Sequence, residues 1–372
     1  MLKIKAKDVL FFRDGKSFTK TTNYSADSFF PPLPSTVYGA LRTAYISQNG
    51  NLKLFEEGKM KETIGTSDNK EKGCFNIKGI YLEFDNKILF PAPFDLLVEK
   101  EEKGNKAFKM KLIDNNIISS ISFSNILVPT NEKKSVFKNV SNRYIDYLSL
   151  KDYLNNKNDK IFLYDKIFLK EPKIGIQLDF QKGTTKKHYI YSYEFLRPAI
   201  KFEDKILETS IIVDENNIEF KKGFYLKLGG EQRVCFAEKL ENTSFIPKLE
   251  SFSIELIKKT KLFKLYLATP AIFQNGYVPF VKSDKENIYE VDKSIKLKLL
   301  TFVTPRSKIY SGWDIKKKKP KKTINLIMQG TVYYFEIIDG DVNEIIEKLH
   351  YQNISDYFKE EGFGLSFIGV VG

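Results

Sequence analysis

Eleven cationic side chains fall between Lys293 and Lys322: Lys293, Lys296, Lys298, Arg306, Lys308, Lys316, Lys317, Lys318, Lys319, Lys321 and Lys322. Asp314 is the only acid among them, so the stretch carries a net charge of +10. Like charges at that density repel one another unless a polyanion compensates them. Tyr310 and Trp313 interleave with the cations, and Pro305-Arg306 leads into the loop, bounded at about 304–323. Cations for phosphates and rings for bases make a clamp for a single strand. A solvated lysine face, with Trp313 as a local apolar anchor, is the competing reading.

A second concentration lies in TTKKHYIYSYEF, where Thr184, Thr185, Lys186, Lys187 and His188 precede Tyr189, Tyr191 and Tyr193. The three tyrosines alternate, so they share one strand face, either as a stacking ladder or as a core stripe. Arg13 and Lys16 flank the Asp14-Gly15 turn in FRDGKSF, where Arg13 either takes a phosphate or pairs locally. Gly229-Gly230, followed by Arg233, and the closing GFGLSFIG with Gly362, Gly364 and Gly369 are glycine turns. The latter is neither a P-loop nor a dinucleotide fingerprint, since GKS or GKT is absent and no helix follows. Its backbone N–H groups face a phosphate or a partner's backbone, or else it is an edge-strand turn.

Conventional catalytic groups are scarce. His188 and His350 are the only histidines, and none precedes residue 188. General acid–base cleavage of RNA usually needs a placed His or a shifted Lys/Tyr set. His350 falls at a helix end, which suits capping. No HExxH, HD pair or GGDD occurs, and Cys74 and Cys235 make neither a metal cluster nor a disulfide framework. No cofactor is expected, and the chain reads as non-enzymatic.

The elements that must position these groups follow from patterning. The 372 residues carry 60 Lys plus Arg against 47 Asp plus Glu, a net +13, which implies a polyanionic partner or drift towards lysine. Leu2, Ile4 and Ala6 alternate with lysines and predict a strand. Pro31, Pro32 and Pro34 lead into a helix with Val37, Leu41 and Ala44 on one face and Ser35 as N-cap. On that helix Arg42 points to solvent or ligand, and Gly39 marks a close approach by another backbone. Asp85-Asn86 joins a hairpin, while residues 50–75 and 95–160 read as insertions. LFKLYLATPAIF, IKLKLLTFVTP, TVYYFEII and GFGLSFIGV predict strands, with DVNEIIEKL a helix before the last. No apolar run reaches a membrane span and no signal peptide is evident, so a cytoplasmic location without membrane is expected. The fold class is α+β, with two ferredoxin-like (RRM-like) domains over 1–250 and 251–372 and a C-terminal glycine-rich loop.

FRDGKSF, FFPPLPSTVYGALRTAY, IGIQLD, LGGEQR, LATPAIF, SGWD and GFGLSFIG, in that order, resemble the Cmr3 family. The resemblance covers most of the chain and is weakest across 50–75 and 95–160. It implies a RAMP-superfamily subunit of type III-B CRISPR effector complexes that binds the 5′ handle of the crRNA without cutting it. The alternative is a RAMP-type endoribonuclease that processes precursor crRNA. Partners implied are the large polymerase-like subunit and the backbone RAMP subunit. Carried over by position, Arg13, Lys16, Ser35, Thr36, Arg42 and the Gly362–Gly369 segment come near the handle. QKGTTKKH stands where an Arg- or Thr-rich turn follows IGIQLD, which keeps Thr184, Thr185 and Lys186 in that set. Met328-Gln329-Gly330 replaces a small-residue step, a departure from the family pattern.

Overall fold

A computed structural model describes residues 1–13, 25–26, 28–67, 71–99, 106–115, 123–129, 136–158, 160–240, 245–283, 287–311, 313–314, 319–320 and 322–372. Two compact units are present, each assembled from three chain segments. The first comprises Met1–Asn86, Lys166–Thr243 and Ile309–Asn325; the second comprises Lys87–Asp165, Ser244–Lys308 and Leu326–Gly372.

The first unit is built on strands β1 (Leu2–Ala6), β2 (Asn76–Phe84), β5 (Lys205–Asn216), β6 (Gly223–Lys227) and β7 (Val234–Lys239). They pair in the order β6-β7-β1-β5-β2, antiparallel throughout. Leu2 and Ile4 of β1 are buried, as the alternation requires. Helix α1 (Pro34–Asn49) buries Val37, Tyr38, Leu41 and Ala44. Tyr38 stacks on Phe75 with centroids 4.7 Å apart. From the same unit rise β3 (Leu169–Asp179) and β4 (Thr184–Arg197), a long antiparallel hairpin with a bulge between Ile176 and Leu178. The expected hairpin at Asp85-Asn86 is present, both residues having positive φ (50° and 58°), which suits a two-residue turn.

The second unit has β8 (Leu262–Leu267), β9 (Lys296–Val303), β10 (Val332–Asp339) and β11 (Leu365–Val370), ordered β9-β10-β8-β11 and antiparallel. Helix α4 (Val342–Leu349) is capped by Asp341, whose carboxylate accepts from the N–H groups of Asn343 and Glu344 at 2.8 and 3.1 Å. Such a cap contributes about 1 kcal/mol. Val342, Ile345 and Leu349 are buried beside Ile257 of α3 (Ser251–Thr260), Phe263, Leu265, Phe335 and Ile368. Each apolar side chain so buried is worth about 1.5–3 kcal/mol.

The stretch 95–160, read from sequence as an insertion, is part of this core. Helix α2 (Tyr147–Leu154), capped by Asp146 on Ser149 N–H at 2.8 Å, buries Leu150, Tyr153 and Leu154 completely. The charged surface pattern of the segment hides how much of it faces inward. The fold is therefore α+β with antiparallel sheets.

Candidate nucleic-acid interface

In the first unit an aromatic row runs down one face of β4. Tyr191 and Tyr193 meet edge to face at 5.2 Å, and Tyr193 lies 6.2 Å from Phe195. Phe11 contacts both Tyr193 and Phe195, at 5.3 and 5.5 Å. The row is thus ladder and core stripe at once: Phe11 and Phe195 are buried, whereas Tyr191 and Tyr193 are half-buried. Burial chiefly raises the Tyr193 hydroxyl, while the charge of Arg13 pulls it down, so Arg13 stands within electrostatic reach of that ring.

Glycine makes room for the row. Opposite Tyr191 on β3 is Gly175, and a Cβ there would lie 2.1 Å from the Tyr191 ring. Cations sit on the buried end. The Lys173 ammonium is 4.9 Å and the Arg233 guanidinium 4.6 Å from the Phe195 centroid, each a cation–π contact. The Gly229-Gly230 turn explains Arg233's position. Gly229 has φ +78°, and a Cβ on it would meet the Phe11 carbonyl at 2.4 Å, while Gly230 N–H donates to that carbonyl at 2.8 Å. The turn closes by Leu228 N–H donating to the Arg233 carbonyl at 2.8 Å. Acids also stand beside the row: the charge of Glu231 raises the Tyr193 hydroxyl, Asp8 lies 3.4 Å from Arg233 and 3.6 Å from Arg197, and Arg197 forks onto Glu171.

At the far end the β3–β4 turn is shaped by Asp179, whose carboxylate accepts from Gln181 and Lys182 N–H groups. Thr184 and Thr185 are exposed there, and Phe180 is 93% exposed. Lys186, Lys187 and His188 continue strand β4, but their side chains lie outside the described set. Arg13 is exposed, with its backbone bridged to Ser28. Lys16, Lys316 and Lys317 fall outside the described residues. Trp313 is placed only by its backbone, paired with Pro320.

Several sequence expectations change. Ser35 is not the N-cap: Leu33 is, without a side-chain bond, and Pro34 takes the first helical position. Proline's fixed φ and missing N–H suit that position. Ser35 and Thr36 are half-buried in the first turn. Arg42 turns inward instead of outward, with its guanidinium 5.4 Å from Phe55 and 5.8 Å from Tyr38 and donating to Thr66 O at 3.3 Å. Gly39 is exposed, and a Cβ on it would meet nothing within 4 Å, so no described residue makes the expected close backbone approach.

The basic stretch is also less uniform in space than in sequence. Lys296 pairs with Glu290 and Lys298 with Glu336, both on the sheet of the second unit, whereas Arg306 and Lys308 are exposed.

In the second unit Gly362, Gly364 and Gly369 are all buried. Gly364 has φ +78°, and a Cβ there would stand 2.4 Å from Ser355 N; one on Gly369 would press on Lys264 and Leu154. Close packing within the chain accounts for Gly364 and Gly369. His350 is likewise committed: Ile368 N–H donates to Nδ1 at 3.2 Å, which leaves Nε2–H to donate to Pro247 O at 2.8 Å. Cys235 is buried, and burial pushes its thiol up to about 12. Among the described residues no group of three or more His, Cys, Asp or Glu side chains could hold a metal ion. Nor, among them, is any helix long and apolar enough to cross a membrane. The cation-flanked tyrosine row was legible in sequence; Lys173, Phe195 and Phe11, which complete it, were missed. The register that sets Lys173 opposite Tyr193 was the available signal.

The family model for CRISPR-associated protein (Cas_Cmr3) matches residues 2–371. The chain belongs to the Cmr3 family. This is a family of RAMP-type subunits of type III CRISPR Cmr complexes. No curated protein matches the chain. Among solved structures, a chain of the type III-B Cmr-beta complex bound to cognate target RNA is similar, at 17% identity over 90% of this chain and 86% of that chain, with a TM-score of 0.47. A chain of the same assembly bound to cognate target RNA and AMPPnP gives 16% identity, 90% and 85% coverage and a TM-score of 0.46. A chain of the Csm3-Csm4 subcomplex of a type III-A interference complex gives 14% identity, 91% and 94% coverage and a TM-score of 0.30.

Proposed function

We propose that this Cmr3-family protein is a non-catalytic subunit that holds the 5′ handle of the crRNA in a type III-B effector. In this reading it joins the large polymerase-like subunit to the backbone RAMP subunit. The observation that carries it is the half-buried Tyr191–Tyr193 pair continuous with Phe195, flanked by Arg13, Lys173 and Arg233. Rings that keep a face towards solvent stack bases without regard to sequence, and the neighbouring cations neutralise phosphates. Thr184, Thr185 and Lys186 extend the same strand towards its exposed end.

Both units support a ferredoxin-like origin. In the first, β1, β2, β5 and β7 lie in the order fourth-first-third-second; in the second, β8, β9, β10 and β11 do the same. That order is what a β-α-β-β-α-β unit yields. Among the described residues one helix is missing from each: β6 stands where the second would be in the first unit, and 268–283 and 287–295 hold none where the first would be in the second. The commitment of both His350 nitrogens favours a binding role over precursor cleavage.

The test is to incubate the purified chain with a labelled RNA carrying a crRNA handle and follow both anisotropy and integrity. Saturable binding with intact RNA is expected. Discrete cleavage by substoichiometric, RNase-free protein would replace this reading with the endoribonuclease one.

A further inference from the structure

A second polar centre lies wholly inside the second unit. Asp95, 1% exposed, accepts hydrogen bonds at Oδ2 from Tyr153 OH at 2.7 Å and Tyr334 OH at 2.6 Å. Its Oδ1 is buried and has no partner among the described residues. Lys264, at 3% exposure on the central strand β8, has its ammonium 3.4 Å from the Tyr153 ring centroid. Lys109, 9% exposed, donates to Asn156 Oδ1 at 2.9 Å. Asp95, Lys109, Lys111, Asn156, Lys264 and Tyr334 all border one cavity of about 150 Å³.

Asp95 Oδ1 is the unmet group among them, with the charge of Lys264 within electrostatic reach. A buried carboxylate oxygen needs a donor, and a buried ammonium needs an acceptor; leaving either unmet is costly. The cavity exceeds the ~10–15 Å³ that one water requires. It is smaller than the roughly 300 Å³ at which sites for drug-sized ligands begin. Lys109, Lys111 and Lys264 against two carboxylates, Asp95 and the terminal carboxylate of Gly372 on the same cavity, leave the walls net positive by one, so the guest is an anion. Burial lowers Lys264 to about 7, with Asp95 opposing and Lys109 adding to the shift, so an arriving anion finds an amine ready to hold a proton. The free Asp95 oxygen adds a second requirement: the anion must itself carry a proton.

We propose that this cavity is a site for a small protonated oxyanion, of the size and chemistry of inorganic phosphate or bicarbonate. Lys264 and Lys109 hold its charged oxygens, and Asp95 Oδ1 accepts its hydroxyl proton. Sulfate has the shape of phosphate but no proton at neutral pH, so it would set bare oxygen against bare carboxylate.

Isothermal titration calorimetry of the full chain at pH 7 and fixed ionic strength, with phosphate, bicarbonate and sulfate in separate titrations, tests this. A saturable one-site response to phosphate or bicarbonate is expected, with sulfate weaker by about tenfold or more. Whichever of the first two binds identifies the guest. Lys264→Met should abolish the response, and Asp95→Asn should erase the preference over sulfate. Equal responses to phosphate and sulfate would assign the heat to surface lysines. No saturable response to any of the three would make the cavity a hydrated polar core. Either result overturns the proposal, as would a preference that survives Asp95→Asn in a variant with native near-UV circular dichroism. The comparison of anions on the unaltered chain decides the matter even if both variants fail to fold.

Discussion

The Arg233 guanidinium lies 4.6 Å from the centroid of Phe195 and 3.4 Å from the carboxylate of Asp8. One face of the cation is therefore spent on a ring that belongs to the core, while its hydrogen-bonding edge leans on an exposed acid. An RNA phosphate reaching Arg233 must compete with Asp8. Asp8→Asn is expected to strengthen RNA binding, because it releases Arg233, whereas Arg197 stays on Glu171. Arg233→Ala is expected to weaken it by about 1.5–3 kcal/mol, the scale of a hydrogen bond to a charged group. Fluorescence anisotropy with a handle RNA reads both; weaker binding by Asp8→Asn would remove Arg233 from the interface.

Tyr191 tests the stacking surface more cleanly than Tyr193, which also packs on Phe11. Tyr191→Ala should cost about 1–3 kcal/mol of RNA affinity, the usual worth of one base–aromatic stack. Gly175→Ala should reproduce part of that loss by displacing the ring that rests on it, with the fold retained. Unchanged affinity in both variants would return the tyrosines to a packing role.

Gly364→Val is expected to lower the melting temperature without a specific effect on RNA. Its left-handed φ of +78° costs a Cβ-bearing residue about 1–2 kcal/mol, and Ser355 N stands 2.4 Å from the site of that Cβ. A variant with native melting behaviour but impaired guide RNA occupancy would restore the functional reading of this glycine.

Acid should destabilise the second unit through His350. Burial lowers its folded pKa below the ordinary 6.5. Above that value both states are neutral and nothing changes. As pH falls through it, the unfolded chain takes up a proton that the folded ring refuses. Stability then declines by up to about 1.4 kcal/mol per pH unit, until the folded pKa is reached. Denaturant melts between pH 5 and pH 8, on the chain and on His350→Gln, measure this. The slope below about pH 6.5 should flatten in the variant, and an unchanged slope would assign it to other groups.

Replacing Lys316, Lys317, Lys318, Lys319, Lys321 and Lys322 with serine is expected to flatten the dependence of RNA affinity on salt. For a single strand, every phosphate that these lysines no longer neutralise reduces the slope of log affinity against log salt by about 0.7. An unchanged slope would leave these lysines as solvated surface.

Much of the scaffold was legible because period-two and helical patterns report burial directly. Leu2 and Ile4, the Asp85-Asn86 turn and the Asp341-capped helix all stand where the patterns place them. The family was legible in short ordered motifs. What sequence hid was direction. Arg42 sits on a helical position that faces outward by simple geometry, yet its long stem folds back over Phe55. The glycines of GFGLSFIG read as a phosphate- or partner-facing turn beside a predicted strand; only the sheet shows Phe363, Leu365 and Phe367 fully buried. Lys264 gave no signal at all, since a lysine between Phe263 and Leu265 looks like the outer face of an alternating strand.

The division of each unit among three chain segments governs how the protein is made. Residues 309–325 belong with Met1–Asn86, and residues 326–372 with Lys87–Asp165. During synthesis the N-terminal strand and helix emerge long before the segment that completes their unit, and β11 arrives last of all to pair with β8. The first unit lacks its last segment until Asn325 is made and the second until Gly372 is made, so both wait with apolar strands uncovered. Such late, long-range closure slows folding and exposes nascent chains to aggregation. No contiguous fragment holds all of one unit without also carrying segments of the other, so neither is obtainable alone as a simple truncation.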